Sequence, residues 1–599
     1  MKSKIAIIIF LTLSFPCFVS AQKPQKPAAQ KPTAKKDTTV VRSVTVERDF
    51  QPIIQDAGKI LISPRETQAQ VEKVTPVYAD FTTPLKINYT IFALDPQQLV
   101  HQPTPVKKGF FRVGAGYPLS TLGDFMYPII NNENNRLDIA LHHLGAFEDK
   151  THSKSSASLQ FDHLFDNFGI FFGVNGSHDY FNYYGRYLGT ESPFILSDAA
   201  SKYKEAMYQT SNYPAISLYG LSGLPLNETH WRVKAHAGAK SLPQSESVKY
   251  LVDLQYGIFQ SINVPMRENH LALTGSFEVP FEKNKLGMNV EINNLQYDVK
   301  DKAAFNFPET YTVMKFNPYY KMISESGFLK LGVKTGISPN HGKVFTPSPD
   351  VEAQWNALKE SIALYAGATG DLKINTLSSM YDENRYLSAP LRVEDTYIPL
   401  DAFAGIKFKP AYNFLIDLFG NYKIINNQYF FVNRAYTYTG VGGVNLPNNL
   451  QTIYQNRFDT VHSRAAQSTV GLRADYNYQN RVNIYVKAAY HSWKLDDKTQ
   501  QHAWQMPAWD VDFGTSVKVI NDVDLSAQFF YQDGRYAKLG NRAVKMAPTI
   551  DLNLGASYTY NNWMSFFVKG NNLLNKKYDI QYGYEVYGIN VMAGVALSF

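Results

Sequence analysis

Cysteine is almost absent from this chain of 599 residues, in which Cys17 is the only one. For the rest of the chain, this excludes disulfides, cysteine-ligated metal sites and cysteine nucleophiles. Charge of one sign is also scarce, because the net charge is only +7 and much of it lies near the N-terminus. A balance of this kind gives no reason to expect a nucleic-acid partner.

Long apolar runs are missing as well. After the first twenty residues, no run reaches the length of about 18 residues that a membrane-spanning helix requires. The mean hydropathy is negative, at -0.28, although 44% of the residues are hydrophobic. A helical membrane protein is therefore excluded.

Motifs of known catalytic chemistry are also lacking. The chain contains no His-Glu-x-x-His, Gly-x-Ser-x-Gly or phosphate-binding loop motif. His142 and His143 are adjacent, but neighbouring residues of a strand point to opposite faces and cannot share one metal ion. We expect a protein that is not an enzyme and that has no cofactor and no metal site.

Aromatic residues, by contrast, are abundant. They make up 14% of the chain, with 40 Tyr and 38 Phe. Such a number suits the two aromatic girdles of a β-barrel that crosses a membrane. A tyrosine-rich soluble β protein is the alternative that composition alone leaves open.

The C-terminal stretch carries the clearest pattern in the chain. Between Gly588 and Phe599, apolar side chains recur at every second position, including Val591, Val595 and Leu597. The other face is small or polar apart from Met592. This alternation predicts a strand with lipid on one side and polar groups on the other. We expect it to be the last strand of a barrel and to close it.

The same period of two holds from Lys108 to the C-terminus, and charges occupy only one face of each strand. Tight two-residue turns are predicted at 479–480, 521–522 and 561–562. Long connections are predicted at about 188–212, 376–399, 431–460 and 494–507. Short turns at one end and long loops at the other are typical of transmembrane barrels. The sequence therefore predicts an all-β fold: a transmembrane antiparallel β-barrel of about 22 strands over residues 108–599.

The polar face of these strands includes several cations. Arg232, Lys234, Lys240, Arg481 and Lys487 are predicted to face the lumen, where they would attract anions. The preferred alternative is that Asp510, Asp512 and Asp551 neutralise them from across the barrel, because a low-dielectric wall penalises unpaired charge.

The N-terminal part is divided into three segments. Residues 1–21 read as a signal peptide, with basic Lys2 and Lys4, an apolar core and a Val19-Ser20-Ala21 cleavage site. Residues 22–47 are rich in Lys, Pro and Ala and are predicted to form a disordered periplasmic tail. Residues 48–107 are expected to be a periplasmic lead-in or a partial stopper of the barrel.

The segment from Asn571 to Tyr578 resembles the N-L-x-N-x-x-Y signature of TonB-dependent receptors. The matching positions are Asn572, Leu573, Asn575 and Tyr578, followed by Gly583 and Gly588 of a glycine-bounded turn. Glu585 stands where those receptors have proline. The resemblance implies a 22-strand barrel in the outer membrane, and a terminal aromatic residue that the barrel insertion machinery reads. About sixty residues, 48–107, are too few for the plug domain of those receptors.

A short segment near the mature N-terminus is similar to the Ton box of these receptors, by which the TonB protein pulls them open. It consists of Thr38, Thr39, Val40 and Val41. Such peptides bind by adding a strand to a partner's sheet. A plain edge strand rich in Val and Thr is the alternative.

Together these observations predict an outer-membrane barrel that serves solute passage or partner-gated transport. The alternative is a non-transporting barrel, a subunit or scaffold of a surface-lipoprotein, secretion or outer-membrane assembly complex. The expected partners are outer-membrane lipid, the insertion machinery, and TonB, a surface lipoprotein or other complex subunits.

Overall fold

The computed structural model describes residues 108–185, 188–189, 226–242, 248–299, 310–358, 361–388, 391, 393–437, 452–479 and 481–599. The predicted signal peptide, the tail with its Ton-box-like segment, and the 48–107 lead-in lie outside these residues.

Strands dominate the described part of the chain. They are β1 Phe110–Tyr117, β2 Ser120–Asn131, β3 Asn135–Ala146, β4 His152–Leu164, β5 Phe168–Asn182, β6 Leu188–Gly189, β7 Asn227–Ser241, β8 Lys249–Ser261, β9 Met266–Phe281, β10 Asn284–Val299, β11 Thr310–Ser324, β12 Gly327–Ile337, β13 Phe345–Leu358, β14 Ile362–Lys373, β15 Thr396–Ala411, β16 Phe414–Thr437, β17 Thr452–Tyr478, β18 Val482–Leu495, β19 Trp509–Ile520, β20 Val523–Asp533, β21 Tyr536–Leu539, β22 Arg542–Lys545, β23 Thr549–Asn561, β24 Met564–Asn571 and β25 Asn590–Ser598. One helix, α1 Leu377–Glu383, lies between β14 and β15.

The strands form a closed antiparallel barrel. Each of its 22 strands pairs with the next along the chain, and β1 pairs with both β2 and β25. Strand β6 pairs only with the end of β17, and β21 and β22 form a separate hairpin. The predicted fold class and strand number are confirmed.

The closing strand β25 lies where the C-terminal pattern predicts it. Val591 is exposed on its outer face, and the residues that alternate with the apolar ones point inward. The carbonyl oxygen of Phe599 accepts hydrogen bonds of 2.6 Å from the backbone N–H groups of Lys108 and Gly109. The end of the chain is therefore joined to the beginning of β1, which leaves no free sheet edge there.

The two ends of the barrel differ, as predicted. Most connections at one end have two or three residues, such as 521–522 between β19 and β20 and 562–563 between β23 and β24. We call this the short-turn end. The connections at the opposite, long-loop end include 374–395, 496–508, 534–548 and 572–589.

The predicted long loop over 431–460 is wrong at both of its bounds. Strand β16 continues to Thr437, and β17 begins at Thr452. The two strands remain hydrogen-bonded beyond the rest of the wall. Apolar Phe430 and Val432 in this extension are buried against Trp504 and Met506, so packing at the long-loop end supports the longer strands.

No helix among the described residues is long and apolar enough to cross a membrane.

Candidate functional site: the cap and the lumen

The connection between β14 and β15 folds back onto the barrel wall. We call its described residues, 374–388, 391 and 393–395, the cap. Leu377 and Met380 of α1 are completely buried, and Leu387 nearly so. They belong to a hydrophobic cluster formed by Phe181, Phe259, Met266, Val299, Leu377, Met380, Tyr381, Tyr386, Leu387, Leu391, Val393, Tyr429, Phe431, Phe458 and Tyr584. The cluster joins the cap to β5, β8, β9, β10, β16 and β17.

The sequence at the start of α1 explains why a short helix forms there. Thr376 is its N-cap residue, and its hydroxyl accepts a hydrogen bond of 3.0 Å from the backbone N–H of Ser379. The Glu268 carboxylate on β9 accepts hydrogen bonds from the N–H groups of Leu377 at 2.6 Å and Ser378 at 3.4 Å. A wall residue therefore satisfies backbone donors that a helix start leaves open.

Ion pairs hold the cap to two further wall strands. Asp382 lies 3.0 Å from Arg232 on β7, and Arg385 lies 3.6 Å from Asp179 on β5. At the other end of α1, the hydroxyl of Tyr429 donates a hydrogen bond of 2.5 Å to Glu383. These contacts are polar; Asp382 is exposed, whereas Asp179 and Tyr429 are buried.

The cap also pairs with the backbone of β17. The N–H of Ser388 donates to the carbonyl of Phe458 at 2.8 Å, and the N–H of Phe458 donates to the carbonyl of Tyr386 at 3.0 Å. Leu387 and Phe458 form an isolated parallel bridge. The cap is thus attached to β17, which is separated from β15 by one strand of the barrel.

A second loop reaches the cap from β24 and β25. The ring of Tyr584 stacks on that of Tyr386, with 3.5 Å between the centroids. Its hydroxyl donates a hydrogen bond of 2.5 Å to the carbonyl of Asn456. Tyr584 is completely buried, so this loop forms part of the same closure.

The residues of the C-terminal motif build this second loop. The Asn572 side-chain amide donates to the carbonyls of Lys576 and Tyr587, both at 2.8 Å. The hydroxyl of Tyr578 donates to Asp551 at 2.8 Å. A Cβ on Gly588 would lie 2.5 Å from the Asn575 side-chain oxygen, so that side chain would have to shift to admit any other residue. The motif therefore has a structural role here: it shapes the loop that carries Tyr584.

The remaining motif positions serve the same loop. The N–H of Leu573 donates to the carbonyl of Leu552 at 2.9 Å. Gly583 has a φ of 95°, a left-handed conformation that favours glycine, and its N–H donates to Asp579 at 2.9 Å.

Arg535 also holds this second loop in place. Sequence analysis did not predict this role. Its guanidinium is almost fully buried and donates to the carbonyls of Ile580 and Asp579 and to the hydroxyl of Thr549. Burial lowers the pKa of Arg535 to about 10, so it stays charged at neutral pH.

Asp395 is a half-buried acid at the point where the cap enters β15. Burial raises its pKa to about 7, and a hydrogen bond from the backbone of Asn375 lowers it only in part. When the cap is closed, the protonated form is therefore favoured below about pH 7.

We expect the cap to open more readily at higher pH. With a raised folded pKa, the contribution of Asp395 to closure is fully present below about pH 4 and is lost as the pH rises to about 7. Between pH 5 and pH 8 closure should weaken by about 3 kcal/mol, or roughly a hundredfold in opening. The measurement is the labelling rate of a Met380→Cys probe, normalised to that of an exposed Thr499→Cys probe. Asp395→Asn should flatten this profile, and an unchanged profile would contradict the assignment.

A cavity of about 560 Å³ lies in the lumen beside the cap. Its wall is formed by β1 to β4 and by β23 to β25, and cap residues 382–386 line another side. Most of the side chains that line it are polar. Arg112 lies 2.6 Å from Asp124, which also forms a hydrogen bond with His142. These three side chains form a row of polar contacts across the adjacent strands β1, β2 and β3.

Two of the cations predicted for the lumen, Lys240 and Arg232, are paired with near neighbours rather than across the barrel. Lys240 lies 3.0 Å from Asp162 on the inner wall, and Arg232 pairs with Asp382 of the cap. Asp551 accepts from Tyr578 instead of facing a cation. Within the described ranges, no group of three or more His, Cys, Asp or Glu side chains is placed to hold a metal ion.

Taken together, the site is a polar lumen whose long-loop end is covered by two loops that meet at Tyr386 and Tyr584. The cavity is large enough to hold a small hydrated solute. Sequence analysis placed the cap in a loop but did not predict that the loop folds inward.

Comparison with known proteins supports the fold. No protein-family model matches the sequence, and no curated protein does. The chain is similar in structure to the siderophore receptor PirA from Acinetobacter baumannii, with a TM-score of 0.58 and 12% identity over 82% of this chain and 80% of that one. It is also similar to a variant of the ferric enterobactin receptor PfeA from Pseudomonas aeruginosa in complex with enterobactin, with a TM-score of 0.58 and 13% identity over 82% and 81%.

A third similar structure is the copper transporter OprC, with a TM-score of 0.55 and 12% identity over 82% of this chain and 80% of that one. At such identities the likeness shows the fold alone. It confirms the receptor-like barrel that the C-terminal motif implied.

Proposed function

We propose that this chain is an outer-membrane barrel through which small polar solutes pass, and that the cap is its gate on the extracellular side. Three features support this: an outer face that exposes apolar side chains, long loops at one end only, and a polar lumen. The similar structures include receptors and a transporter. In this proposal, a partner opens the cap, either TonB acting on Thr38–Val41 or a surface lipoprotein.

The observation that carries the proposal is the way the cap is held. It is a single insertion between two strands, and its contacts to Glu268, Arg232 and Asp179 are polar. Asp382, which pairs with Arg232, is exposed, so water can replace this contact at little cost, whereas Glu268 and Asp179 are buried. Because the cap is a single insertion, it can leave the wall while the barrel stays closed on itself.

One observation favours the second candidate, a non-transporting scaffold barrel of a larger complex. Opening the cap would expose Leu377, Met380 and Leu387, at a cost of about 1.5–3 kcal/mol for each buried apolar side chain. A closure of this strength also suits a barrel that never opens.

Locking the cap separates the two candidates without knowledge of the solute. Leu387 and Phe458 face each other in a backbone bridge, a position from which two cysteines can form a disulfide. If passage is gated by the cap, cells that carry the double Leu387→Cys, Phe458→Cys variant should grow as cells without the protein do, on every solute tested. A reductant and each single variant should restore the wild-type phenotype.

The scaffold candidate predicts the opposite result. Locked cells would then grow as the wild type does while deletion cells do not, and the protein would leave the membrane in mild detergent together with its partners. That result would overturn the transport proposal.

A further inference from the structure

Lys569 lies on the inner face of β24 and lines the lumen cavity. Its register neighbours are Gly555 on β23 and Met592 on β25. Neither side chain offers a hydrogen-bond acceptor to the ammonium group. The centre of the Phe567 ring lies 5.9 Å from the ammonium nitrogen. The charges of Arg112 and Asp124 act on it with opposite signs.

The other charged side chains that the described residues place around the cavity all have partners. Arg112 pairs with Asp124, and Lys150 donates to the Val586 carbonyl at 2.6 Å. The rest have partners named above: Arg385, Asp382, Glu383 and Asp551. Among these groups Lys569 is the charge that lacks a hydrogen bond or an ion pair.

The surroundings of Lys569 are rich in groups that bind hydroxyls and anions. Asn571 and Asn590 lie on the same wall, and Ser156 and Ser158 line the cavity from β4. The volume of about 560 Å³ falls within the range of small-molecule sites. An ammonium group in a low-dielectric wall is stabilised by an anionic partner.

We propose that this cavity binds a small polyhydroxylated solute through a carboxylate or phosphate group, which pairs with the Nζ of Lys569. The amide and hydroxyl groups on the wall then hydrogen-bond to the solute hydroxyls. Cap residues 382–386 line the same cavity, so a bound solute contacts the gate. The inference rests on the proposed function only in naming the solute that passes, because the binding itself needs no transport.

The test uses three probes that share one sugar ring: galacturonate, galactose 6-phosphate and neutral galactose. Isothermal titration calorimetry of the purified full-length protein in detergent should show binding of at least one acidic sugar, with galactose much weaker. Lys569→Gln should weaken that binding by about tenfold or more, because one charge-assisted hydrogen bond is lost. Which acidic sugar binds tells the carboxylate from the phosphate.

Lys240→Gln is the matched control, because Lys240 is also on the inner wall but pairs with Asp162. It should leave the affinity unchanged. Circular dichroism and heat-modifiable gel mobility establish that both variants fold. Each titration is repeated with a chain lacking residues 22–107. Binding seen only in that chain supports the site and means that residues 22–107 compete with the sugar for it.

Three outcomes overturn the proposal: equal affinity for galactose and the acidic sugars, no effect of Lys569→Gln, or no binding by either form of the chain. None of these outcomes bears on the proposal that the cap is a gate, which the locked variant tests. If the locked variant behaves as wild type while Lys569 binds the acidic sugar, the site stands and the transport proposal fails.

Discussion

Replacing Tyr584 by alanine is expected to release the cap. The ring is completely buried, stacks on Tyr386 at 3.5 Å and bonds through its hydroxyl to the Asn456 carbonyl. Removing a buried aromatic ring costs about 3–5 kcal/mol, through lost contacts and the cavity left behind. The loss should fall on the cap rather than on the barrel, because outside the cap the described contacts of the Tyr584 side chain are with Asn456 and Phe458 near the beginning of β17 and with Tyr184 just after β5.

The readout is the labelling of a Met380→Cys probe by a maleimide that does not cross membranes. Cys17 lies in the predicted signal peptide, so the mature chain should carry no competing thiol. Labelling of a buried site follows the population of the open state. Tyr584→Ala should therefore raise the rate by roughly 10²–10³-fold.

Tyr584→Phe is the matched control. It keeps the stacked ring and removes one hydrogen bond, which is worth about 0.5–1.5 kcal/mol. The rate should rise by about tenfold at most. Equal rates for the alanine and phenylalanine variants would show that the ring does not hold the cap.

Replacing residues 377–393 by a Gly-Ser linker is expected to make cells sensitive to vancomycin, which is too large for general porins. A barrel of 22 strands encloses a lumen that other proteins fill, so an uncovered one should lower the inhibitory concentration by about tenfold or more. The linker spans the same gap between β14 and β15 and leaves the wall strands intact.

The control replaces residues 497–499, in the loop between β18 and β19, by a linker of the same kind. That loop is at the long-loop end, but it contributes nothing to the cap cluster. Its replacement should leave vancomycin resistance unchanged. Equal resistance of both variants, with normal amounts of folded barrel, would mean that something other than the cap closes the lumen.

The barrel itself could be predicted from the sequence because each strand meets two different environments. Val591 and Val595 are apolar since lipid faces them, while Arg112 and Asp124 pair inside, and this contrast repeats with a period of two. The hairpin of β21 and β22 was missed, although Gly540-Asn541 between Leu539 and Arg542 is a recognisable turn.

The cap could not be predicted in the same way. Leu377, Met380 and Tyr381 have the spacing of one helix face, which is a weak signal within a region otherwise typical of a loop. Their partners Phe181, Phe259 and Phe458 lie on strands far away in sequence, and only the closed barrel brings them together. The partner of Arg232 could not be predicted for the same reason, because Arg232 pairs with Asp382, a residue of the cap.

Single-channel conductance of four purified forms tests the central claim most directly: the full chain, a chain with the cap replaced, a chain lacking residues 22–107, and a chain with both changes. If the cap closes the lumen, the full chain and the chain lacking only 22–107 should both be silent, and at least the form with both changes should conduct. If the chain in which only the cap is replaced conducts, residues 22–107 do not form a second stopper. Steady conduction by the chain that keeps its cap and lacks 22–107 would contradict the account, because the lumen would then be open with the cap in place.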